Sequence, residues 1–297
     1  MQMITNILNG TLSRTGQTRF FETGANLSVQ KFLFDVRFTV PESYTGKWDF
    51  LKEILISSTL RLGADNGGAI PLIADVPLYD LLEYSDSKQG VSLRSTTFIA
   101  GEEVRISGTI PVGFFRMSSR DALEMSLQVV DSSALPSVNV NFVISTVYLN
   151  GDQLSSLIVY KSAKPTGADM PYKNVLEMYY TGDQTVNKQV SITDQIGACP
   201  VNIEDAIARS NADDNFEFFT RFGNIYTDPY GVSQDLSVRV PTDDANATLL
   251  IVQYAFNSAL LENNASDMVA EKQSLLSKIR TSDPEKYSYL QLLGIAN

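Results

Sequence analysis

The chain has 297 residues, with 23 Lys plus Arg, 34 Asp plus Glu, one Cys and no His. The missing histidine excludes a Ser-His-Asp or Cys-His catalytic unit, a histidine-held zinc or haem, and a histidine pH switch. The single cysteine, Cys199, excludes an internal disulfide, and a formal charge of −11 argues against general nucleic-acid binding, which needs a basic surface.

The charge is uneven. Residues 1–21 carry Arg14 and Arg19 and no acid, so this stretch is +2 and the remainder −13. No basic segment precedes an apolar one as in a secretory signal. The chain is expected to be soluble and made in a reducing cytoplasm. Residues 1–26 are Thr-, Gly- and Asn-rich and read as an N-terminal arm. Arg14, Arg19, Phe20 and Phe21 are its candidates for reaching an anionic lipid surface or a neighbouring subunit.

Alternation with period two then dominates. Phe32, Phe34, Val36, Phe38 and Val40 alternate with Lys31, Asp35, Arg37 and Thr39. Further runs are Ile54 to Leu62, Val104 to Ile110, Leu123 to Val129, Val138 to Ile144, Val186 to Ile192, Phe216 to Phe222, Val238 to Val240 and Leu250 to Phe256. One apolar and one polar face is the mark of a half-buried antiparallel sheet. Short strands between Gly, Pro, Asn and Asp turns predict β-sandwiches. Asn150-Gly151 reads as a hairpin turn between strands 138–149 and 154–161, with a domain cut there as the competing reading. Segments 63–77 and 162–173 read as extended loops.

Helix is sparse. Asn202 suits the cap of a short helix holding Ile203, Ala206 and Ile207. In the tail, Met268, Leu275 and Ile279 share a helical face, and Ser282-Asp283-Pro284-Glu285 has capping-box spacing.

The halves share marks in a common order. Ser28-Val29-Gln30 and Ser137-Val138-Asn139 open strand runs. Thr109-Ile110-Pro111 and Arg239-Val240-Pro241 end strands on proline, and apolar runs starting at Ala122 and Ala247 follow. They predict tandem β-sandwiches: arm 1–26, first sandwich 27–132, second sandwich 133–259 and helical C-terminal tail 260–297.

Candidate chemistry is thin. Asp213, Asp214 and Glu217 form an oxygen-rich cluster that calcium could use, without EF-hand spacing. Ser28–Lys31 and Ser85–Lys88 have the Ser-x-x-Lys spacing, the first on a strand and the second read as a loop. Trp48 is a candidate sugar-stacking residue, with packing as its alternative. Gly63 to Gly68 is a turn that lacks the Lys-Ser/Thr of a phosphate loop. No catalytic residue and no cofactor is expected.

Tandem sandwiches with an arm and a helical tail, carried by the runs and paired marks above, make the chain similar to the double jelly-roll major capsid proteins of tailless icosahedral bacteriophages with an internal membrane, of the corticovirus and finnlakevirus type. The resemblance covers roughly residues 27–259 and is one of architecture. It implies a non-enzymatic virion protein made in the host cytoplasm, a homotrimer forming pseudo-hexameric capsomers, and contacts with neighbouring capsomers and minor capsid proteins. It also implies an arm towards the internal membrane and no sequence-specific nucleic acid. The alternative is a phage spike or lectin-like carbohydrate- or receptor-binding β-sandwich, and a third reading is a glycoside-active sandwich using two carboxylates.

Overall fold

The computed structural model describes residues 2–12, 17–23, 28–63, 68–87, 93, 96–117, 121–149, 156–181, 189–193, 198–202, 224–227, 234–239, 247–255, 277, 280 and 281. The chain divides into two compact units, Met1–Ala255 and Phe256–Asn297. In the second unit, Ser277, Arg280 and Thr281 are helical, and the Thr281 hydroxyl donates to the Ser277 carbonyl at 2.7 Å. The rest of the expected helical tail lies outside the described residues.

The first unit is built almost wholly of strands. They are β1 (Gln2–Thr11), β2 (Gln17–Thr23), β3 (Ser28–Thr39), β4 (Ile54–Arg61), β5 (Ala69–Pro77), β6 (Glu103–Arg116), β7 (Ala122–Val129) and β8 (Asn141–Leu149). There follow β9 (Ser156–Ala163), β10 (Met170–Tyr180), β11 (Gln189–Thr193), β12 (Ala198–Asn202), β13 (Asn224–Thr227), β14 (Gln234–Arg239) and β15 (Leu249–Ala255). One α-helix, α1 (Leu78–Ser87), and two 3-10 turns, Asp49–Glu53 and Ser132–Ala134, complete the described elements.

The first eight strands pair in two antiparallel rows. One runs β1-β8-β3-β6 and the other β2-β7-β4-β5. Numbered along the chain, the orders 1-8-3-6 and 2-7-4-5 are the connectivity of a jelly roll, two interlocked Greek keys. Each row buries one face. On β3, Phe32, Phe34, Val36 and Phe38 are buried while Arg37 and Thr39 are exposed. On β4 and β7, Ile54, Ile56, Leu60, Leu123, Met125 and Leu127 are buried. The alternation works because successive side chains on a strand point to opposite faces.

The later strands form a second row. Their order is β9-β15-β10-β14, with β11 and β12 continuing outward and β13 beside β10. The rows join at β9, which pairs with β6 at Gly113↔Leu157 and runs parallel to β5 at Ile73↔Tyr160, so all fifteen strands form one curled sheet.

Several expectations change. Residues 2–11 and 17–23, expected as arm, are strands paired with β8 and β7. A register shift between Asn6 and Leu8 breaks the alternation that would have revealed β1. Segment 63–77, expected as loop, contains β5. Its two prolines, its register shifts against β4 and the left-handed Asp75 (φ 47) hide the strand. Segment 162–173 includes the end of β9 and the start of β10. The hairpin expected at Asn150-Gly151 is not formed: β8 pairs with β1 and β3, and β9 with β15, β5 and β6. This places β8 in the first strand set, on the far side of residue 132 from where the sequence divided the sandwiches. Residues 203–223, holding the expected Asn202-capped helix and the Phe216 to Phe222 strand, lie outside the described residues.

Candidate functional site: the helix joint

Helix α1 follows Pro77 directly. It is apolar around most of its circumference: Leu78, Tyr79, Leu81, Leu82 and Tyr84 are all buried. Asp80 lies in its first turn, where a carboxylate meets the positive end of the helix dipole.

Gly108 on β6 admits the helix from one side. A Cβ there would lie 2.5 Å from Leu82 Cδ2 and 3.4 Å from both Cβ and Oγ of Ser85. The Thr109 amide donates to Ser85 Oγ at 2.8 Å, fixing the last turn of α1 to β6. The Leu93 amide donates to Glu83 Oε2 at 3.1 Å.

The other side of α1 meets the second strand set. Register puts Tyr179, Glu177, Leu250, Val252 and Tyr160 on one face of β10, β15 and β9. Tyr84 reaches this face. Its hydroxyl donates to Glu177 Oε2 at 2.5 Å, and its ring packs edge-on against Tyr160 at 6.1 Å and Tyr179 at 5.9 Å. The Tyr160 hydroxyl donates to the Pro111 carbonyl of β6 at 2.6 Å, closing the contact between the strand sets. The opposite face of the same sheet packs its own core of Val175, Met178, Tyr180, Leu236, Val238, Ala247, Leu249 and Ile251. The middle of this sheet is therefore covered on both faces, one by its own core and one by α1.

A hydroxyl chain ends on Asp80. Thr248 donates to Asp80 Oδ2 at 2.8 Å, and Thr181 bonds to both the hydroxyl and the carbonyl of Thr248. Asp80 is 3% exposed and Glu83 1%. Burial pushes the Asp80 carboxyl up to about 6, against the lowering effect of its threonine bonds and Lys52. Burial and then the nearby Glu83 carboxylate push Asp86 up to about 6 as well. Tyr84 and Tyr160 are raised well above the ordinary phenol value, by burial first and then by the Glu177 carboxylate. Such a cluster holds two pieces of chain together.

The expected site residues stand apart from this joint. Arg19, Phe20 and Phe21 lie on β2, at register positions opposite Ser126, Met125 and Glu124, so they belong to a sheet rather than a free arm. Arg14, Asp213, Asp214 and Glu217 lie outside the described residues. No group of three metal-capable side chains occurs among the described residues. Trp48 is 1% exposed and packs edge-on against Phe98 at 5.1 Å and Phe38 at 5.6 Å, which leaves no face for a sugar. Ser85 lies in the last turn of α1, not in a loop, and its Oγ already accepts the Thr109 amide. The joint was missed because Asp80 and Glu83, residues that face water on an ordinary surface helix, are buried here. Gly108 and Gly113 in the alternating strand β6 were available signals for a close approach.

Strand orders and joint together define a jelly-roll β protein with a second, coupled strand set. No protein-family model matches the sequence, and no curated protein matches it. Among solved structures, the chain is similar to one in the atomic structure of Sulfolobus Turreted Icosahedral Virus, with TM-score 0.51 and 11% identity, covering 90% of this chain and 97% of that one. Others are the STIV MCP (TM-score 0.49, 10% identity, 86% and 96% covered) and the major capsid protein P2 from Bacteriophage PM2 (0.44, 11%, 86% and 97%). The first of these shows a shared fold.

Proposed function

We propose that the chain is a structural virion subunit, a major capsid protein with two jelly rolls per copy. The observation that carries this is the second four-strand row, β9-β15-β10-β14, beside β1-β8-β3-β6, within a fold shared along nearly the whole length of a chain from an icosahedral virion. The first roll then spans residues 2–149. The second begins at residue 156. Two similar rolls in one chain give a trimer six similar corners, a shape that tiles a shell. Heterologous contacts around a threefold axis close the ring, and neighbouring trimers and minor capsid proteins complete it. The subunit is made in the host cytoplasm and works in the virion, without catalysis.

The α1 joint supports this reading, because a building block must transmit contact forces without its halves shearing. A lectin-like role loses its anchor with the burial of Trp48. Native mass measurement of the purified protein tests the assembly step. A species near three times 32.7 kDa is expected, and a stable monomer at micromolar concentration contradicts it.

A further inference from the structure

Four carboxyl groups gather where α1 holds the strand sets together: Asp80, Glu83 and Asp86 on the helix, and Glu177 on β10. The charged groups acting on Asp80 are Lys52, from the 3-10 turn Asp49–Glu53, and Glu83. Lys52 is a shared and half-exposed cation. It bonds Asp49 at 2.7 Å and lies over the Tyr79 ring at 4.8 Å. Glu83 acts on Asp86, and Glu177 and Tyr160 act on Tyr84. Glu83 and Glu177 each have a bonded partner, Leu93 N–H and Tyr84 O–H. Asp80 instead faces threonine hydroxyls from the second strand set, which can donate or accept. A neutral Asp80 thus keeps its bonds across the joint and sheds a buried charge.

We propose that the α1 joint is a proton-strengthened latch, in which Asp80 takes a proton from solvent and tightens the hold of the first strand set on the second. The sign follows from linkage. The folded carboxyl titrates at about 6 and the unfolded one near 3.8. The folded chain therefore binds the proton first as pH falls. Stability rises as pH drops through 6 and is complete below 4; it is lost as pH climbs back through 6. Asp86 is shifted the same way and adds to the effect. The latch does not depend on the capsid reading.

Urea unfolding of the whole chain at about pH 7.5 and about pH 5 tests this, and for Asp80 alone linkage gives about a tenfold larger folding constant at the lower pH. Lowering pH also relieves the general repulsion of a chain with net charge −11, so variants separate the two effects. Asp80→Asn should be more stable than wild type at the higher pH and lose most of the gain on acidification. Glu103→Gln, at an exposed position on β6, should keep the wild-type gain. Hydrogen exchange of the wild type needs no variant: after correction for intrinsic rates, protection of α1 should grow relative to β3 on acidification. Equal pH responses of wild type and Asp80→Asn, or α1 protection that merely tracks β3, would overturn the proposal.

Discussion

The antiparallel stretches β8-β3-β6 and β9-β15-β10 are each three strands wide, yet their environments differ. The first is wet on one face, where Arg105 donates to Asp35 at 2.7 Å and Arg37 and Glu103 are exposed. The second is covered on both faces only in its middle, where α1 packs on one side; Lys161 on β9 and Lys173 on β10 are exposed. In β15 the run Leu249, Leu250, Ile251 and Val252 is buried without interruption. Alternation reports a wet face, and continuous apolar runs report a covered one.

If the second sheet depends on α1 and the first does not, changes in the joint should separate them. Leu82→Ala opens a cavity at the centre of the joint and should cost about 3 kcal/mol. Hydrogen exchange should then show β10 and β15 losing protection while β3 retains it. Gly108→Val pushes against Leu82 from the β6 side and should cost about 2 kcal/mol, with the same pattern of lost protection. Tyr84→Phe keeps the ring contacts and removes the hydroxyl bond to Glu177. A loss of about 1–2 kcal/mol is expected in urea unfolding, because a partly buried carboxylate loses its donor. Arg61→Ala breaks the exposed contact with Glu124 on the outer face of β4 and β7 and should stay within about 1 kcal/mol, falling further with salt. If Arg61→Ala equals Leu82→Ala in cost, the comparison between joint and outer face fails.

The legible parts of the sequence were those with one wet face. The strands β3, β4, β6 and β7 follow the expected runs closely because their buried apolar side chains recur at every second position. Strands β1 and β5 were illegible for local reasons, a bulge in one and prolines with a left-handed Asp75 in the other. Helix α1 was illegible because Asp80 and Glu83, residues that face water on an ordinary surface helix, are buried. The paired sequence marks fall on strands of different kinds. Pro111 lies within β6 and Arg239 ends β14. Ser28 opens β3, whereas Ser137 precedes β8, which pairs with β3 rather than repeating it. Ala122 begins β7, in the facing row, whereas Ala247 precedes β15, a strand of the second row. Strand order depends on contacts across more than a hundred residues, and no local pattern encodes it. The joint escaped for the same reason, since Asp80 and Thr248 lie 168 positions apart.

Imaging of the purified protein at resolution sufficient to see strands tests the central claim most directly. The account predicts threefold particles with a pseudo-hexagonal outline, two jelly rolls per subunit and α1 between them. Particles of one subunit with a single roll, or with strand sets that move independently of α1, would contradict it.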